Sequence, residues 1–296
     1  MQETTHWVHN LDPMIYRFSE NFGVGWYGLS YIAGFYAALA IHYAYVKHQR
    51  SVLTAPQGET ALYAIILGLI GGARLGYVVL YSPWQQVLAD PLYIIRVWEG
   101  GMSFHGGLIG VVLAFMWISR QYKIKFRQLA DMVSGLVTPG LFFGRCANFV
   151  NGELWGKPTD VPWAVIFPRS APPGTPVTEI APRHPSQLYE AALEGAVLFA
   201  YLQWRYLFTD ARKYPGRIGA ELLMLYACFR IFCEFFREPD APLLLGISRG
   251  MFYSLFMIAG GVFFWWRSTI DGPVDPPNPN APAPAPAPVA KKKGSK

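Results

Sequence analysis

Long apolar runs separated by short polar loops dominate the chain. Seven of them approach the roughly 20 residues that a bilayer-crossing helix needs. They cover residues 26–46, 61–81, 103–119, 129–149, 188–208, 218–236 and 249–267. The pattern predicts an all-α integral membrane domain, a seven-transmembrane-helix bundle, over residues 26–270. Ahead of it, Trp7, Val8, Leu11, Ile15, Phe18 and Phe22 recur at three- and four-residue intervals. That spacing predicts an amphipathic helix lying in the membrane interface within residues 1–25. From Pro273 to Ala290, Pro alternates with Ala and polar residues. Such a sequence cannot build a core, so residues 271–296 are expected to form a disordered tail of polyproline II character. The tail is either solvated or drawn to anionic lipid by Lys291, Lys292 and Lys293.

Composition sharpens this picture. Of 296 residues, 52% are hydrophobic and only 15% charged, against about 25% charged in a soluble domain. The net charge of +6 is concentrated in a few loops and the tail, which argues against a nucleic-acid partner. Lys47 and Arg50 follow the first run. Arg120, Lys123, Lys125 and Arg127 follow the third. Arg212, Lys213 and Arg217 follow the fifth, and Arg267 closes the seventh. The intervening loops are neutral or acidic. Strict alternation puts the basic loops and the C-terminus in the cytoplasm and the N-terminus outside. No basic leader region opens the chain, so no cleavable signal peptide is expected.

Gly68, Gly71, Gly72 and Gly76 make the second run a surface for close helix packing. Arg74 among them must face the bundle interior or water. Cys146, Cys228 and Cys233 lie in apolar runs, where they suit packing better than disulfides or nucleophilic chemistry. No Cys/His cluster has metal-ligand spacing, and nothing calls for a cofactor.

The remaining intramembrane polar residues gather toward the outer leaflet. Tyr27 opens the first run. His105 opens the third, within a glycine-rich turn, where it is either a satisfied structural residue or a proton acceptor. Arg145 and Asn148, on one helical face, close the fourth, followed by Asn151, Glu153 and Gly156. His184, Gln187 and Glu190 begin the fifth. Tyr226, Arg230 and Glu234 share one face of the sixth, with Arg237 at its mouth. Scattered structural residues would not all choose one leaflet. The pattern predicts a polar cavity in the outer half of the bundle. Several arginines suit a phosphate or carboxylate, and within a leaflet the abundant phosphate is the phospholipid headgroup. Internal ion pairs such as Arg230 with Glu234 are compatible with that reading.

The run from Gly144 to Gly156, Gly-Arg-Cys-Ala-Asn-Phe-Val-Asn-Gly-Glu-Leu-Trp-Gly, resembles the signature of the prolipoprotein diacylglyceryl transferases. Trp26 to Leu29, Gly71 to Tyr77, Met102 to Gly107, His184 to Glu190 and Phe229 to Asp240 resemble that family in order. Ala147 stands where many members have Gly. The resemblance implies a bacterial inner-membrane enzyme with its site toward the periplasm. It implies transfer of the sn-1,2-diacylglyceryl group from phosphatidylglycerol to the lipobox cysteine of a prolipoprotein signal peptide, releasing glycerol 1-phosphate. Tyr27, His105, Arg145, Asn148, Glu153, Gly156, Tyr226, Arg230 and Glu234 match its functional positions, Arg145 as the phosphatidylglycerol-binding arginine. On chemical grounds the departing phosphate needs fixed cations, a role assigned to Arg145 and Arg230. Tyr27, Asn148, Asn151 and Glu153 then orient headgroup hydroxyls. His184, Glu190, Tyr226 and Arg237 complete the substrate-binding set. His105 is the first candidate for the thiol proton and Glu234 the second. The main alternative, a lipid or anion transporter with a polar outer-leaflet cavity, would be expected to carry an inverted repeat and polar residues on both leaflets; the sequence shows neither.

Overall fold

The computed structural model describes residues 6–19 and 22–277. Seven long helices, among the described residues, coincide with the seven apolar runs. They are α1 (Trp26–Lys47), α2 (Ala55–Tyr81), α3 (Phe104–Gln121), α4 (Phe126–Val150), α5 (residues 186–208), α6 (Arg217–Glu234) and α7 (Arg249–Asp271). Of these, α1 and α2 are long and apolar enough, by length and composition, to cross a membrane. Leu67, Leu80, Phe208 and Phe256 leave more than half of their surface exposed, an outer face unsuited to water.

The N-terminal segment departs from expectation. It is not a helix but short strands: β1 (Trp7–Val8), β2 (Met14–Ser19) and β3 (Phe22–Gly25), with β2 and β3 antiparallel. Pro13 lacks an N–H and would break the predicted helix in its middle. The next residues, Met-Ile-Tyr-Arg-Phe, favour a pleated strand. β1 pairs in parallel with β4 (Val165–Ile166) in the long loop between α4 and α5, and His9 N–H extends the pairing to Ile166 O at 2.8 Å. The proline-rich tail beyond residue 277 lies outside the described residues. Before it, Asp271 still belongs to α7 and pairs with Arg127, and Val274 N–H bonds Lys213 O at 2.7 Å.

Local signals explain where the helices begin. α2 starts six residues before its apolar run because Thr54 and Gln57 form a reciprocal capping box, followed by Pro56 in the first turn. Ser103 and Ser248 cap α3 and α7 through Gly106 N–H (3.3 Å) and Met251 N–H (3.1 Å). α6 is capped from another helix: buried Asp131 of α4 accepts from Gly216 N–H at 2.6 Å and Gly219 N–H at 2.8 Å.

Packing follows residue size. A Cβ on Gly110 of α3 would fall 1.9 Å from Gly68 O of α2, and one on Gly106 2.3 Å from Gly72 O. The small-residue surface predicted for α2 is therefore its seam with α3. Arg74, buried as required, donates to the carbonyls of Tyr93, Ile94, Gly100 and Gly101, which ties the following loop to α2. At the end of the bundle that carries the basic loops, Tyr45 stacks on Tyr206 (4.5 Å between centroids) within a core including Leu53, Leu129, Leu198 and Ile218.

Candidate active site

The site forms where α4, α5 and α6 meet at the end away from the basic loops. Two features of α5 create it. Residues Ala191–Val197 are π-helical, a distortion that often marks functional positions. Gly195 also brings α5 against α4, since a Cβ there would lie 2.7 Å from Phe142 Cα. Arg145 follows Phe142 by less than one turn, so it is delivered to the acidic face of α5.

There Arg145 Nη1 pairs with Glu190 Oε2 at 2.9 Å and Nη2 with Glu194 Oε2 at 3.0 Å. Arg230 of α6 reaches Glu190 Oε1 at 2.6 Å and also holds Glu234 one turn on. Arg237 joins Glu190 Oε1 at 2.9 Å and Asp240 Oδ2 at 2.9 Å. Glu190 and Glu194 are fully buried. Isolated charges there would be very costly, whereas a reciprocal network with good geometry is tolerated. Tyr226 lies within electrostatic range of Glu194, Arg145 and Arg230.

The turn after α4 is built around Glu153. Its Oε1 accepts from Asn148 Nδ2 at 2.8 Å and Asn151 Nδ2 at 3.2 Å, and its carbonyl accepts from Gln187 Nε2 at 2.6 Å. Gly152 takes a positive φ (61°) and has the His9 ring 3.1 Å from where a Cβ would stand. His9 Nε2 in turn bonds Phe149 O at 2.7 Å. Burial lowers the pKa of His9, which lies outside the helices. Gly156 bridges to Arg237 in antiparallel fashion, and a Cβ on it would lie 2.5 Å from His184 O. His184 Nδ1 meets the Tyr189 hydroxyl at 3.1 Å, and burial lowers its pKa too.

Beside the network runs a cavity of about 390 Å³ between α1, α2 and α4. Tyr27, Arg145 and Asn148 line one end, and His42, Leu53 and Gly58 the other. The walls between are almost wholly apolar.

Most of the predicted residues are thus brought together: Arg145, Glu190, Arg230, Glu234 and Arg237 in one network, Asn148, Asn151 and Glu153 in one turn. Tyr27 joins them at the cavity. His105 does not. It is exposed at the start of α3, its ring edge-on to Phe104 (5.7 Å), with no hydrogen bond or ion pair to the network among the described residues. Arg230, expected to grip phosphate, is committed to carboxylates and does not line the cavity; Arg145 does. Glu194 escaped the sequence reading. The signal for it was a second acid four residues after Glu190 inside an apolar run, on the same helical face.

Comparison with known proteins identifies the family. The family model described as prolipoprotein diacylglyceryl transferase matches residues 13–267. A phosphatidylglycerol–prolipoprotein diacylglyceryl transferase of Pseudoalteromonas atlantica is 44% identical over 259 residues, 85% of this chain and 87% of the relative. The similarly named proteins of Nitrosomonas europaea and Vibrio cholerae are each 44% identical over 256 residues, covering 84% and 86% of this chain and 87% and 90% of their own lengths. With this family match over most of its length and these relatives, the chain belongs to the prolipoprotein diacylglyceryl transferase family.

Proposed function

We propose that this protein transfers the diacylglyceryl group of phosphatidylglycerol to the lipobox cysteine of a prolipoprotein, forming a thioether and releasing glycerol 1-phosphate. The observation that carries this is the cavity: apolar walls suit acyl chains, and Arg145 with Asn148 stands at its polar end. A guanidinium has five N–H donors, and Arg145 directs two of its nitrogens at carboxylates. The donors left over suit a phosphate oxygen. The carboxylates orient the guanidinium, and they also keep the resting site from holding several unpaired cations. Asn148, Asn151 and Glu153 are placed for the glycerol hydroxyls, with Tyr27 flanking the cavity mouth.

The reaction is displacement at an sp³ carbon. A thiol with an ordinary pKa of roughly 8.5 must lose its proton, sulfur bonds the carbon, and the carbon–oxygen bond to phosphate breaks. Charge grows on the leaving phosphate, where a pre-aimed arginine helps more in the transition state than in the ground state. Glu190, Glu194 and Glu234 are all engaged by arginines, so the proton acceptor is assigned outside the network. Of the two histidines in the set, His105 is open to an incoming peptide while His184 is held by Tyr189.

The finer topology belongs to the same proposal. All seven helices span the bacterial inner membrane, the N-terminus and site face the periplasm, and the C-terminus is cytoplasmic. The basic loops at the opposite end of the helices support this. The transporter alternative has no support among the relatives. The test is mass analysis of a lipobox peptide incubated with purified protein and phosphatidylglycerol. A diacylglyceryl increment on the cysteine is expected, and an unmodified peptide overturns the reading.

A further inference from the structure

We propose that the blind end of the cavity, walled by His42 with Leu53 and Gly58, sets the length of the acyl chain the enzyme accepts. This rests on the reading that the cavity holds a chain of the donor lipid. The cavity follows one face of α1 from Tyr27 to His42. Fifteen helical residues correspond to roughly 22 Å, more than the roughly 15 Å of one hydrocarbon leaflet. Only a long chain lying extended from a headgroup near Arg145 therefore reaches the far wall. Among the lining residues the one fixed charge, Arg145, stands at one end and apolar side chains make up most of the rest, so the hydrocarbon chain of an anionic amphiphile is the occupant that fits.

The far wall differs from the rest of the lining. His42 is buried, its Nε2 is 3.3 Å from Thr54 O, and its Nδ1 is buried without a hydrogen-bond partner. Gly58 makes room for the ring, since a Cβ there would lie 1.9 Å from Nε2. Leu53 and Leu129 line the cavity too, and are wholly buried. Methylenes pressed beyond this point would meet an unpaired polar nitrogen and a closed core, and would gain none of the burial that the walls above provide. Gly140 of α4 lines the cavity partway along, and a Cβ there meets no atom within 4 Å. It is a position where a side chain can enter the cavity without its Cβ meeting a packed neighbour.

Each methylene buried is worth about fourfold in affinity. Selection should therefore rise with chain length until the wall is reached and then stop. The experiment is internal competition. Phosphatidylglycerols of graded chain length are mixed in equal amounts in detergent micelles with a lipobox peptide, and product masses are counted. The product ratio reports relative kcat/KM, so a partly unfolded preparation scales all products alike. His42→Ala should raise the ratio of the longest to the middle chain by about tenfold, and Gly140→Leu should lower that of the middle to the shortest by about tenfold. Ratios within twofold of the parent's in either variant overturn the proposal while leaving the transferase reading intact. No transfer by the parent chain itself overturns both.

Discussion

At the scale of single residues, Arg145 carries the most weight. Its two ion pairs use the planar fork of a guanidinium, one nitrogen to each of Glu190 and Glu194. Lysine keeps the charge but has a single nitrogen on a flexible stem. Arg145→Lys is expected to insert and fold, yet it cannot reproduce both arms of the fork. Removing one charge-assisted hydrogen bond corresponds to about 1.5–3 kcal/mol, or roughly a ten- to 150-fold fall in transfer. Steady-state assays of the purified variant check it, and transfer within twofold of the parent would make Arg145 a structural anchor. Arg145 was legible in the sequence because an arginine near the end of an apolar run is costly without a purpose. What it pairs with was not. The partner carboxylates lie on another helix, and which of them meet it depends on the π-helical stretch of α5 and the close approach at Gly195, neither of which leaves a local pattern.

Elements show the same division. The seven apolar runs became seven helices because burial and lipid exposure both follow hydropathy. The first segment misled because its three- and four-residue spacing coexists with a proline and strand-forming residues, and it is stabilised by pairing with a distant strand. The docking of that segment predicts a pH effect. His9 has a folded pKa below its ordinary value, so the unfolded state binds its proton first as pH falls. Its contribution is complete above about 6.5 and is lost as pH falls from there toward the folded pKa. Acidification should therefore increase protease cleavage within residues 6–19, and His9→Gln should flatten that dependence. A second element-level case is Asp131, which caps α6 from α4. Losing a capping side chain costs about 0.5–2 kcal/mol, so Asp131→Ala should lower the unfolding temperature in detergent. An unchanged melting curve would show that Gly216 alone suffices to start the helix.

For the molecule as a whole, the two ends of the bundle are chemically distinct, and the orientation proposed here turns on that. At one end Tyr206 bonds Arg50 O at 2.9 Å, Arg127 pairs with Asp271, and Val274 bonds Lys213 O. This single basic cluster is assembled from four separate segments. At the other end lie Tyr27, Arg145, Glu153 and Arg237. The charge asymmetry was readable from the sequence as alternating loops. Its consequence, a site separated from the basic end by the length of the helices, needed the fold. In the proposed orientation, with the cationic loops retained on the cytoplasmic side, the site faces the periplasm. Gln121 and Val177 are exposed at the basic end and in the loop between α4 and α5, respectively. In intact cells with a permeabilised outer membrane, an impermeant maleimide should label Val177→Cys but not Gln121→Cys. Breaching the inner membrane should expose the latter. The native Cys146, Cys228 and Cys233 make the parent chain the necessary background. The reverse labelling order would put the site in the cytoplasm, where it could not meet a signal peptide that has crossed the membrane, and the proposed topology would fall while family membership stood.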